Sequence, residues 1–482
     1  MRDKIFSFFQ NLGPNGLLLN FYALAGFVLA LLLVARLMGE KRAPANTFAW
    51  LLGIVLLPWV GVPLYLLFGG RKLRRLVLRK LPVLPTLPVA IGREAESVHT
   101  PVAQTIVSAG APPPVAGNTI EFLAHGEEAY VALEKQIRGA RHAIHITTFI
   151  LGRDDTGRRL VRLLAERARE GVKVRLLLDS LGSWFTGAGF THRLRKAGGE
   201  IARFMPVLPF SSRGSANLRN HRKIAVFDHC TAIIGGHNLA REYMGPHHFR
   251  KRWQDFGAVI SGPAAALLND VFIADWCFVT GQSAESLRAE TPASVTAPRG
   301  RSELQVVASG PDVPGDPLYE GIISMVQEAK QSIWIVTPYF IPDDVLLRSL
   351  IVKARSGVAV NLIVPARSDH RIADFARRHY LRELLRAGAR VLLYTPGMLH
   401  SKALIVDDRL GLIGSANFDS RSLFVNFEIG VVVHTAANAR AMKTWAETLT
   451  PHCRPLKADP EKKPGFFANL VEDLSRLLAP LL

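Results

Sequence analysis

Two copies of one short pattern stand far apart in the chain and carry side chains that can act on a phosphodiester. Each copy has a His, a Lys two residues later, an Asp five residues after the Lys, and an Asn that follows a turn of small residues. The members are His221, Lys223, Asp228 and Asn238 in the first copy, and His400, Lys402, Asp407 and Asn417 in the second. A single His-x-Lys is an ordinary surface pair, whereas two copies with the same Asp and Asn spacing predict one shared function.

The chemistry of these side chains suits phosphoryl transfer. A neutral imidazole can attack phosphorus, and a protonated imidazole can give its proton to the leaving oxygen. Because one imidazole must begin neutral and the other protonated, one site needs both copies. Lys and Asn side chains can hold the phosphoryl oxygens. The sequence has no Asp/Glu cluster typical of a metal-bound phosphate and no GxxxxGK[ST] loop, so we expect no metal, no other cofactor and no nucleotide.

The two copies lie in two halves of the chain that resemble each other. Each half starts with a helical pattern that leads into a β-branched run, at 130–149 and at 319–340. A second helical pattern then ends in Gly-Val and a strand, before the His-x-Lys. This alternation predicts an α/β fold of two duplicated α-β-α modules, mixed sheets flanked by helices. The expected modules are 118–283 and 303–449, with 284–302 as the joint.

The N-terminal part predicts a membrane hairpin. Residues 5–35 and 43–70 contain no charged side chain, and each run is long enough to cross a hydrocarbon layer of ~30 Å. We expect transmembrane helices at about 17–35 and 47–68, within an N-terminal region 1–80, although part of the hairpin could be re-entrant. Eight Lys or Arg residues flank the outer ends and three lie in the loop, which places both ends and the catalytic modules in the cytoplasm.

Two further segments are predicted outside the modules. Residues 81–117 are rich in proline and indicate a stiff linker with little regular structure. Residues 450–482 indicate an amphipathic tail that either packs on the second module or lies in the membrane interface.

The charge balance narrows the class of partner. The chain has 59 Lys and Arg against 40 Asp and Glu, a net charge of +19, which favours nucleic acid or anionic lipid. The hairpin favours lipid, because a tethered enzyme meets lipid at a far higher local concentration than DNA. The three cysteines are far apart and show no CxxC spacing, which argues against a disulfide framework and a zinc finger.

Further segments around these motifs resemble a known family. They are 64–69 at the end of the hairpin, 235–243 after the first His-x-Lys, 337–342, and 414–428 after the second. With the paired motifs, they resemble the phospholipase D superfamily and, within it, its bacterial cardiolipin synthase branch. The resemblance covers nearly the whole chain.

The resemblance implies a role for each motif residue. His221 and His400 correspond to the catalytic pair, in which the first forms a phosphohistidine and the second acts as acid and then base. The phosphate ligands correspond to Lys223, Lys402, Asn238 and Asn417. Glu428 matches the carboxylate that orients a catalytic imidazole, and Asp255 is our choice for its equivalent in the first half. Asp228 and Asp407 complete the catalytic motif, where we expect them to buttress the turn rather than to carry protons.

The implied activity is phosphatidyl transfer in the bacterial inner membrane. Two phosphatidylglycerol molecules in an anionic bilayer would give cardiolipin and glycerol, without nucleic acid as a partner. Hydrolysis as a phospholipase D, or transfer to another alcohol such as phosphatidylethanolamine, uses the same chemistry and stays open. A membrane-tethered nuclease and a non-enzymatic lipid-binding scaffold are disfavoured by the hairpin and by the duplicated His-x-Lys, respectively. The oligomeric state also stays open.

Overall fold

The computed structural model describes most of the chain after residue 94 and a few segments before it. The described residues are 28, 31, 44–57, 59–62, 65, 95–205, 218–290, 297–313 and 315–457. The chain divides into two compact units, Met1–Arg71 and Lys72–Leu482, which we describe separately.

The first unit contains helix α1, Pro44–Leu56. A small core of Ile54, Val62 and Tyr65 is buried, and the ring of Trp50 meets that of Tyr65 edge to face at 5.4 Å. The outward side chains are apolar and more than half exposed: Leu52, Val55, Leu56, Leu57, Trp59 and Val60. The helix predicted at 17–35 lies almost entirely outside the described residues, and the one predicted at 47–68 is described only in part.

The second unit alternates strands and helices along the chain. Its strands are β1 (Val115–Leu123), β2 (Ala143–Thr148), β3 (Lys173–Asp179), β4 (Glu200–Phe204), β5 (Ile224–Phe227), β6 (Thr231–Gly235), β7 (Gly257–Ser261), β8 (Ser302–Ser309), β9 (Ser332–Val336), β10 (Phe340–Ile341), β11 (Ala359–Pro365), β12 (Arg390–Tyr394), β13 (Ala403–Val406), β14 (Leu410–Gly414), β15 (Phe418–Asp419), β16 (Glu428–Val433) and β17 (Cys453–Pro455). Its α-helices are α2 (Pro101–Ser108), α3 (Gly126–Gly139), α4 (Asp155–Arg169), α5 (Ala188–Lys196), α6 (Pro263–Thr280), α7 (Ala284–Ala289), α8 (Pro317–Glu328), α9 (Asp344–Arg355), α10 (Arg371–Arg386), α11 (Ser420–Phe424) and α12 (Ala436–Thr448).

Fifteen strands of the described residues form one mixed sheet, which confirms the predicted α/β class. Its order is β17-β12-β11-β9-β13-β14-β16-β8-β1-β7-β6-β5-β2-β3-β4, and β10 and β15 pair separately. Outward from the central β8–β1 pair, the two halves repeat one topology. In each half the three outer strands that precede the His-x-Lys are parallel to each other, and the inner strands are antiparallel.

The two halves share one core rather than folding as separate modules. One hydrophobic cluster combines residues of β5, β6, β7 and α6 with residues of β8, β13, β14, β16 and α12. Within it the ring of Phe256 stacks on that of Trp445 at 3.7 Å. Further clusters fill the space between the sheet and α3 and α4 in the first half, and between the sheet and α8, α9 and α10 in the second. Because the core crosses the β8–β1 junction, the halves are held in one fixed relation.

The structure corrects two of the predicted boundaries. Residues 95–117 are not an irregular linker: Pro101 starts α2, Thr100 caps it, and Ile106 is buried. Residues 81–94 lie outside the described residues. Likewise the predicted amphipathic tail does not start at 450, because β17 within 450–457 pairs antiparallel with β12 and belongs to the sheet. The amphipathic pattern from 467 to 478 lies outside the described residues.

One helix of the described residues, α6, is long and apolar enough to cross a membrane. Of its residues, 83% are buried, and it packs on the sheet as the core helix of the first half.

Candidate active site

Both His-x-Lys segments lie in extended loops that lead into a central strand. The strands begin one residue after each Lys, at Ile224 and at Ala403. Each loop is hydrogen bonded to the opposite half. The His221 N–H donates to the carbonyl of Phe427 at 2.9 Å, and the His400 N–H donates to that of Gln254 at 2.7 Å. The site therefore forms only where the halves meet.

The second imidazole is bound by a carboxylate of the first half. Nδ1 of His400 lies 2.7 Å from Oδ2 of Asp255, and the other carboxylate oxygen accepts from the Phe256 N–H at 2.8 Å. Asp255 is fully buried. Because a carboxylate oxygen only accepts, we assign the imidazole proton to Nδ1, which leaves the lone pair on Nε2.

The first imidazole faces a carboxylate of the second half. Nδ1 of His221 lies 3.4 Å from Oε1 of Glu428. Oε2 of Glu428 accepts from the Ser415 hydroxyl. Within the described part of the chain, Oε1 has no hydrogen-bond partner, although it is buried. It is therefore free to accept from His221 after a small approach.

The equivalent of Ser415 in the first half is Gly236. A Cβ placed there would lie 2.1 Å from Oδ1 of Asp255. The glycine therefore makes room for the shorter carboxylate, whereas the longer Glu428 is held by a hydroxyl.

The two lysines are buried beside the histidines. Nζ of Lys223 donates to the carbonyl of His221 at 2.8 Å, and Nζ of Lys402 donates to the carbonyl of His400. Burial lowers the pKa of Lys223, against the attraction of Glu428 and Asp255. Burial also lowers the pKa of Lys402 to about 7, against the attraction of Asp255.

In the site without substrate, the neighbouring ammonium group of Lys402 disfavours protonation of the His400 imidazole. Nζ of Lys402 lies 2.9 Å from Nδ1 of His400. Burial, with the positive charges of Lys402 and Lys223, lowers the pKa of His400 well below its usual value. Burial raises the pKa of Asp255. Without substrate, His400 is therefore neutral near pH 7.

The two asparagines follow β6 and β14 at the turns predicted from the small residues. Both are buried. Oδ1 of Asn238 accepts from the Ile150 N–H at 3.1 Å, and its side chain also hydrogen bonds with Tyr243. Asn417 hydrogen bonds with Asp419, and its Oδ1 has no partner among the described residues.

The two aspartates of the motif lie away from the histidines, at the far ends of β5 and β13. The Asp228 carboxylate accepts from the backbone N–H groups of 141–143 at 2.7–3.1 Å. The Asp407 carboxylate accepts in the same way from 330–332 at 2.7–2.8 Å. Both residues have a positive φ, 48° and 51°. Each binds a β-turn to the start of the neighbouring strand, so neither is placed to move a proton at the site.

Aromatic side chains form the walls of the site, and our sequence analysis did not identify them. The ring of Phe149 lies 4.1 Å from that of His221. The rings of Tyr243 and Trp253 lie 5.0 Å and 5.4 Å from that of His400. The last two also line an open cleft of about 520 Å³ beside the site. Glu242 and Tyr243 fall in the segment 235–243 that carried the family resemblance. That resemblance was the signal in the sequence that could have identified Tyr243 as a residue of the site.

His237 is buried near His400 and Asp255, and burial lowers its pKa.

Arg222, between the first His and Lys, joins the two halves. Its guanidinium is fully buried and binds Asp275 of the first half at 2.7 Å and Asp312 of the second at 3.2 Å. It also donates to the carbonyl of Glu428 at 3.1 Å. This side chain therefore fixes the position of the first motif relative to the carboxylate that faces His221.

In the described part of the chain, no group of three or more His, Cys, Asp or Glu side chains is placed to hold a metal ion. The lysines of the two motifs, Lys223 and Lys402, are buried at the site.

Comparison with known proteins shows which protein families match the part of the chain that forms this site. A family model described as the PLD-like domain of cardiolipin synthase matches residues 133–276 and 322–450. A second model, described as the N-terminal domain of phospholipase D-nucleases, matches residues 27–70. The first match covers both His-x-Lys motifs and both carboxylates that face them.

Similar curated proteins span nearly the whole chain. A cardiolipin synthase of Geobacillus thermodenitrificans is 35% identical over 459 residues, which are 92% of this chain and 90% of the relative. The major cardiolipin synthase of Bacillus subtilis is 31% identical over 97% of this chain and 99% of its own. Among solved structures, the phosphatidylserine synthase of Haemophilus influenzae matches with a TM-score of 0.59 and 18% identity, over 79% of this chain and 98% of its own. That structural likeness shows a shared fold.

Proposed function

Because this chain belongs to the cardiolipin synthases of the phospholipase D superfamily, we propose that it transfers a phosphatidyl group between two phosphatidylglycerol molecules. The products are cardiolipin and glycerol. The observation that carries this function is the pairing across the halves, in which each imidazole faces a carboxylate of the other half. One site thus contains the two imidazoles that the reaction requires.

In the first step, Nε2 of His221 attacks the phosphorus of the donor lipid. The N–P bond forms, the bond from phosphorus to the headgroup glycerol oxygen breaks, and that oxygen takes a proton from Nε2 of His400. Glu428, 3.4 Å from Nδ1 of His221, stabilises the positive charge that the imidazole acquires. Lys223 and Lys402 hold the phosphoryl oxygens, with Asn238 and Asn417 as further ligands.

The charge balance of the site explains how His400 becomes an acid. In the free site His400 is neutral, because burial and the positive charges of Lys402 and Lys223 lower its pKa. A phosphodiester brings one negative charge, which raises the pKa of the neighbouring imidazole. Substrate binding therefore favours the one protonated imidazole that the leaving oxygen needs.

In the second step, the acceptor's headgroup hydroxyl replaces glycerol. His400 removes its proton, the new O–P bond forms, and the N–P bond to His221 breaks. The same groups act in reverse order, so the reaction needs no activated donor. Water in place of this hydroxyl gives phosphatidic acid, and another lipid alcohol gives a different product.

The test of this function is a product analysis with the full chain in vesicles of phosphatidylglycerol labelled in both the acyl chains and the headgroup glycerol. We expect cardiolipin and free glycerol in equal amounts, with His221→Ala/His400→Ala as the inactive control. Phosphatidic acid as the main product would assign a hydrolase instead. A preference for added phosphatidylethanolamine as acceptor would assign a different transferase.

The membrane hairpin is part of this proposal. The match of residues 27–70 to the N-terminal family model agrees with membrane association. The exposed apolar side chains of α1 and of Leu57, Trp59 and Val60 are suited to contact with lipid. We propose two spans, with both ends and the catalytic unit in the cytoplasm.

Single cysteines test this topology in a cysteine-free background, with Gly39→Cys in the loop between the spans and Thr86→Cys after them. A membrane-impermeant maleimide should label only Gly39→Cys on spheroplasts and both sites after lysis. Labelling of Thr86→Cys on spheroplasts would contradict the orientation.

A further inference from the structure

The loop between β3 and α5 exposes three large apolar side chains within five consecutive residues. Leu181, Trp184 and Phe185 are 47%, 58% and 80% exposed, and we call these three residues the aromatic tip. The other exposed large apolar residues described in the Lys72–Leu482 unit are isolated and aliphatic: Val107, Val131, Val345, Val352 and Ile372. Among the described residues of that unit, the tip is therefore the only segment whose exposed large apolar side chains include aromatic rings, which calls for a partner.

The backbone of the loop is held by specific hydrogen bonds. Oδ1 of Asp179 accepts from the N–H groups of Leu181 and Gly182 at 2.9 and 3.0 Å. The guanidinium of Arg203 donates to the carbonyls of Ser183 and Thr186. These hydrogen bonds hold the loop in a conformation in which the aromatic rings are exposed, while Ser183 and Thr186 are buried.

The same loop is attached to the wall of the active site. The Ser183 hydroxyl donates to the carbonyl of Phe149 at 2.9 Å, and the Phe149 ring lies 4.1 Å from that of His221. Oδ2 of Asp179 accepts from the N–H of Asn220, the residue before His221, at 2.9 Å. The tip therefore stands at the rim of the pocket that holds His221.

Basic side chains follow the aromatic rings directly. Helix α5 contains no acidic residue and exposes His192, Arg193, Arg195 and Lys196. Aromatic rings next to Lys and Arg are the combination that binds the interface of an anionic bilayer, where the rings enter the headgroup region and the cations meet the phosphates.

We propose that the aromatic tip inserts into the surface of an anionic phospholipid bilayer and seats the His221 pocket on it. This inference rests on the proposed function, since both lipids keep their acyl chains in the bilayer while their phosphates react. A tip at the rim holds the pocket at headgroup depth, so the donor phosphate reaches His221 without leaving the membrane. The hairpin tethers the chain, whereas the tip orients the catalytic unit.

The direct test places an environment-sensitive fluorophore at the tip of the full chain. Cys230, Cys277 and Cys453 are replaced by Ala, and Phe185→Cys is labelled and reconstituted in phosphatidylglycerol vesicles. The matched control is Val352→Cys on α9, where the native side chain is 61% exposed. We expect a blue shift and several-fold quenching by nitroxide-bearing lipids at 185 only.

Two results of this experiment would overturn the proposal. A label at 185 that stays in water, as at 352, shows that the tip does not enter the bilayer. A blue shift that appears without lipid and grows with protein concentration shows that the tip binds a second copy of the chain. Neither measurement depends on turnover, so insertion by a chain that makes no cardiolipin would refute the proposed function alone.

A second arm measures the consequence for activity. We expect Trp184→Ser/Phe185→Ser to lower the rate on phosphatidylglycerol vesicles at least tenfold and to change the rate on a water-soluble short-chain phosphatidylglycerol less than twofold. The control Val131→Ser/Val352→Ser should leave both rates within twofold. An equal loss on the two substrates, in a variant with wild-type thermal unfolding, would show that the loop supports the pocket and not the membrane contact.

Discussion

The Asp255 carboxylate lies 2.7 Å from Nδ1 of His400, although 145 residues separate the two in the chain. Asp255 belongs to the first half and His400 to the second. Glu428 and His221 repeat this relation in the opposite direction. Each half thus contributes the imidazole of one pair and the carboxylate of the other, and neither half contains a complete pair.

This geometry predicts that both histidines are required. His221→Ala and His400→Ala should each reduce transfer at least a thousandfold, because neither imidazole can serve as nucleophile and as acid at once. A denaturing alkaline quench of the wild-type reaction should trap the phosphatidyl group on His221. Circular dichroism controls for folding, and a single variant with a tenth of the wild-type rate would contradict the two-histidine mechanism.

The carboxylates should act through the histidines that they face. Asp255→Asn replaces the carboxylate that accepts from Nδ1–H of His400 with a neutral amide, which can also present its NH2 and favour the wrong tautomer, and should lower kcat on the order of 10²–10⁴-fold while the fold is kept. In a His400→Ala background the same change should cost little further, because the partner is already gone. Steady-state rates of the four proteins test this, and equal factors in both backgrounds would assign Asp255 a role unrelated to His400.

The motif aspartates should affect stability and not chemistry. Burial acts to raise the pKa of Asp407, but the backbone N–H groups that it accepts from more than offset this, so its pKa lies below the usual value. Asp407→Asn should lower the free energy of unfolding by about 1–3 kcal/mol at pH 7, with kcat within twofold.

The effect of Asp407 should also depend on pH in one direction. A lowered pKa in the folded state stabilises the protein above the unfolded pKa of about 4, and this contribution is lost as the pH falls through the folded value. The difference between wild type and Asp407→Asn in urea unfolding should therefore shrink below pH 4. A kcat loss above tenfold would contradict the structural role.

The buried lysine should set an alkaline limit to activity. Since the pKa of Lys402 is lowered to about 7 in the free site, its positive charge is lost as the pH rises through that value. We expect kcat/KM, which reports the free enzyme, to fall above about pH 7, and kcat to fall at higher pH because the bound phosphate favours the ammonium. Lys402→Arg should abolish this decrease of kcat/KM at alkaline pH. If the decrease stays unchanged in the variant, a group other than Lys402 causes it.

Chelators should leave the chemical step unchanged. In the proposed mechanism Lys223 and Lys402 stabilise the phosphoryl oxygens, and the described residues contain no group of three or more His, Cys, Asp or Glu placed to hold a metal ion. Single-turnover rates with and without EDTA, at constant ionic strength and lipid composition, should agree within twofold. Complete loss with EDTA, restored by one particular divalent ion, would reveal a metal site.

The duplicated motifs and the α/β class were determined by the sequence alone. Both follow from features of short stretches of sequence. These are the spacing of His, Lys, Asp and Asn and the alternation of strand-like with helix-like apolar patterns, and each half contains them. The structural role expected for Asp228 and Asp407 agrees with their bonds to the backbone. The proline count between 81 and 117 was misleading, because Pro101 starts a helix rather than preventing one.

The tertiary structure decided how the two copies become one site. Which carboxylate faces which imidazole depends on the β8–β1 junction and on a core that crosses it, and these contacts join residues far apart in sequence. The aromatic walls and the tip likewise depend on how loops from different strands converge at one edge of the sheet. Sequence spacing encodes neighbours within a strand or helix, whereas these distances result from packing between elements, which no local pattern specifies.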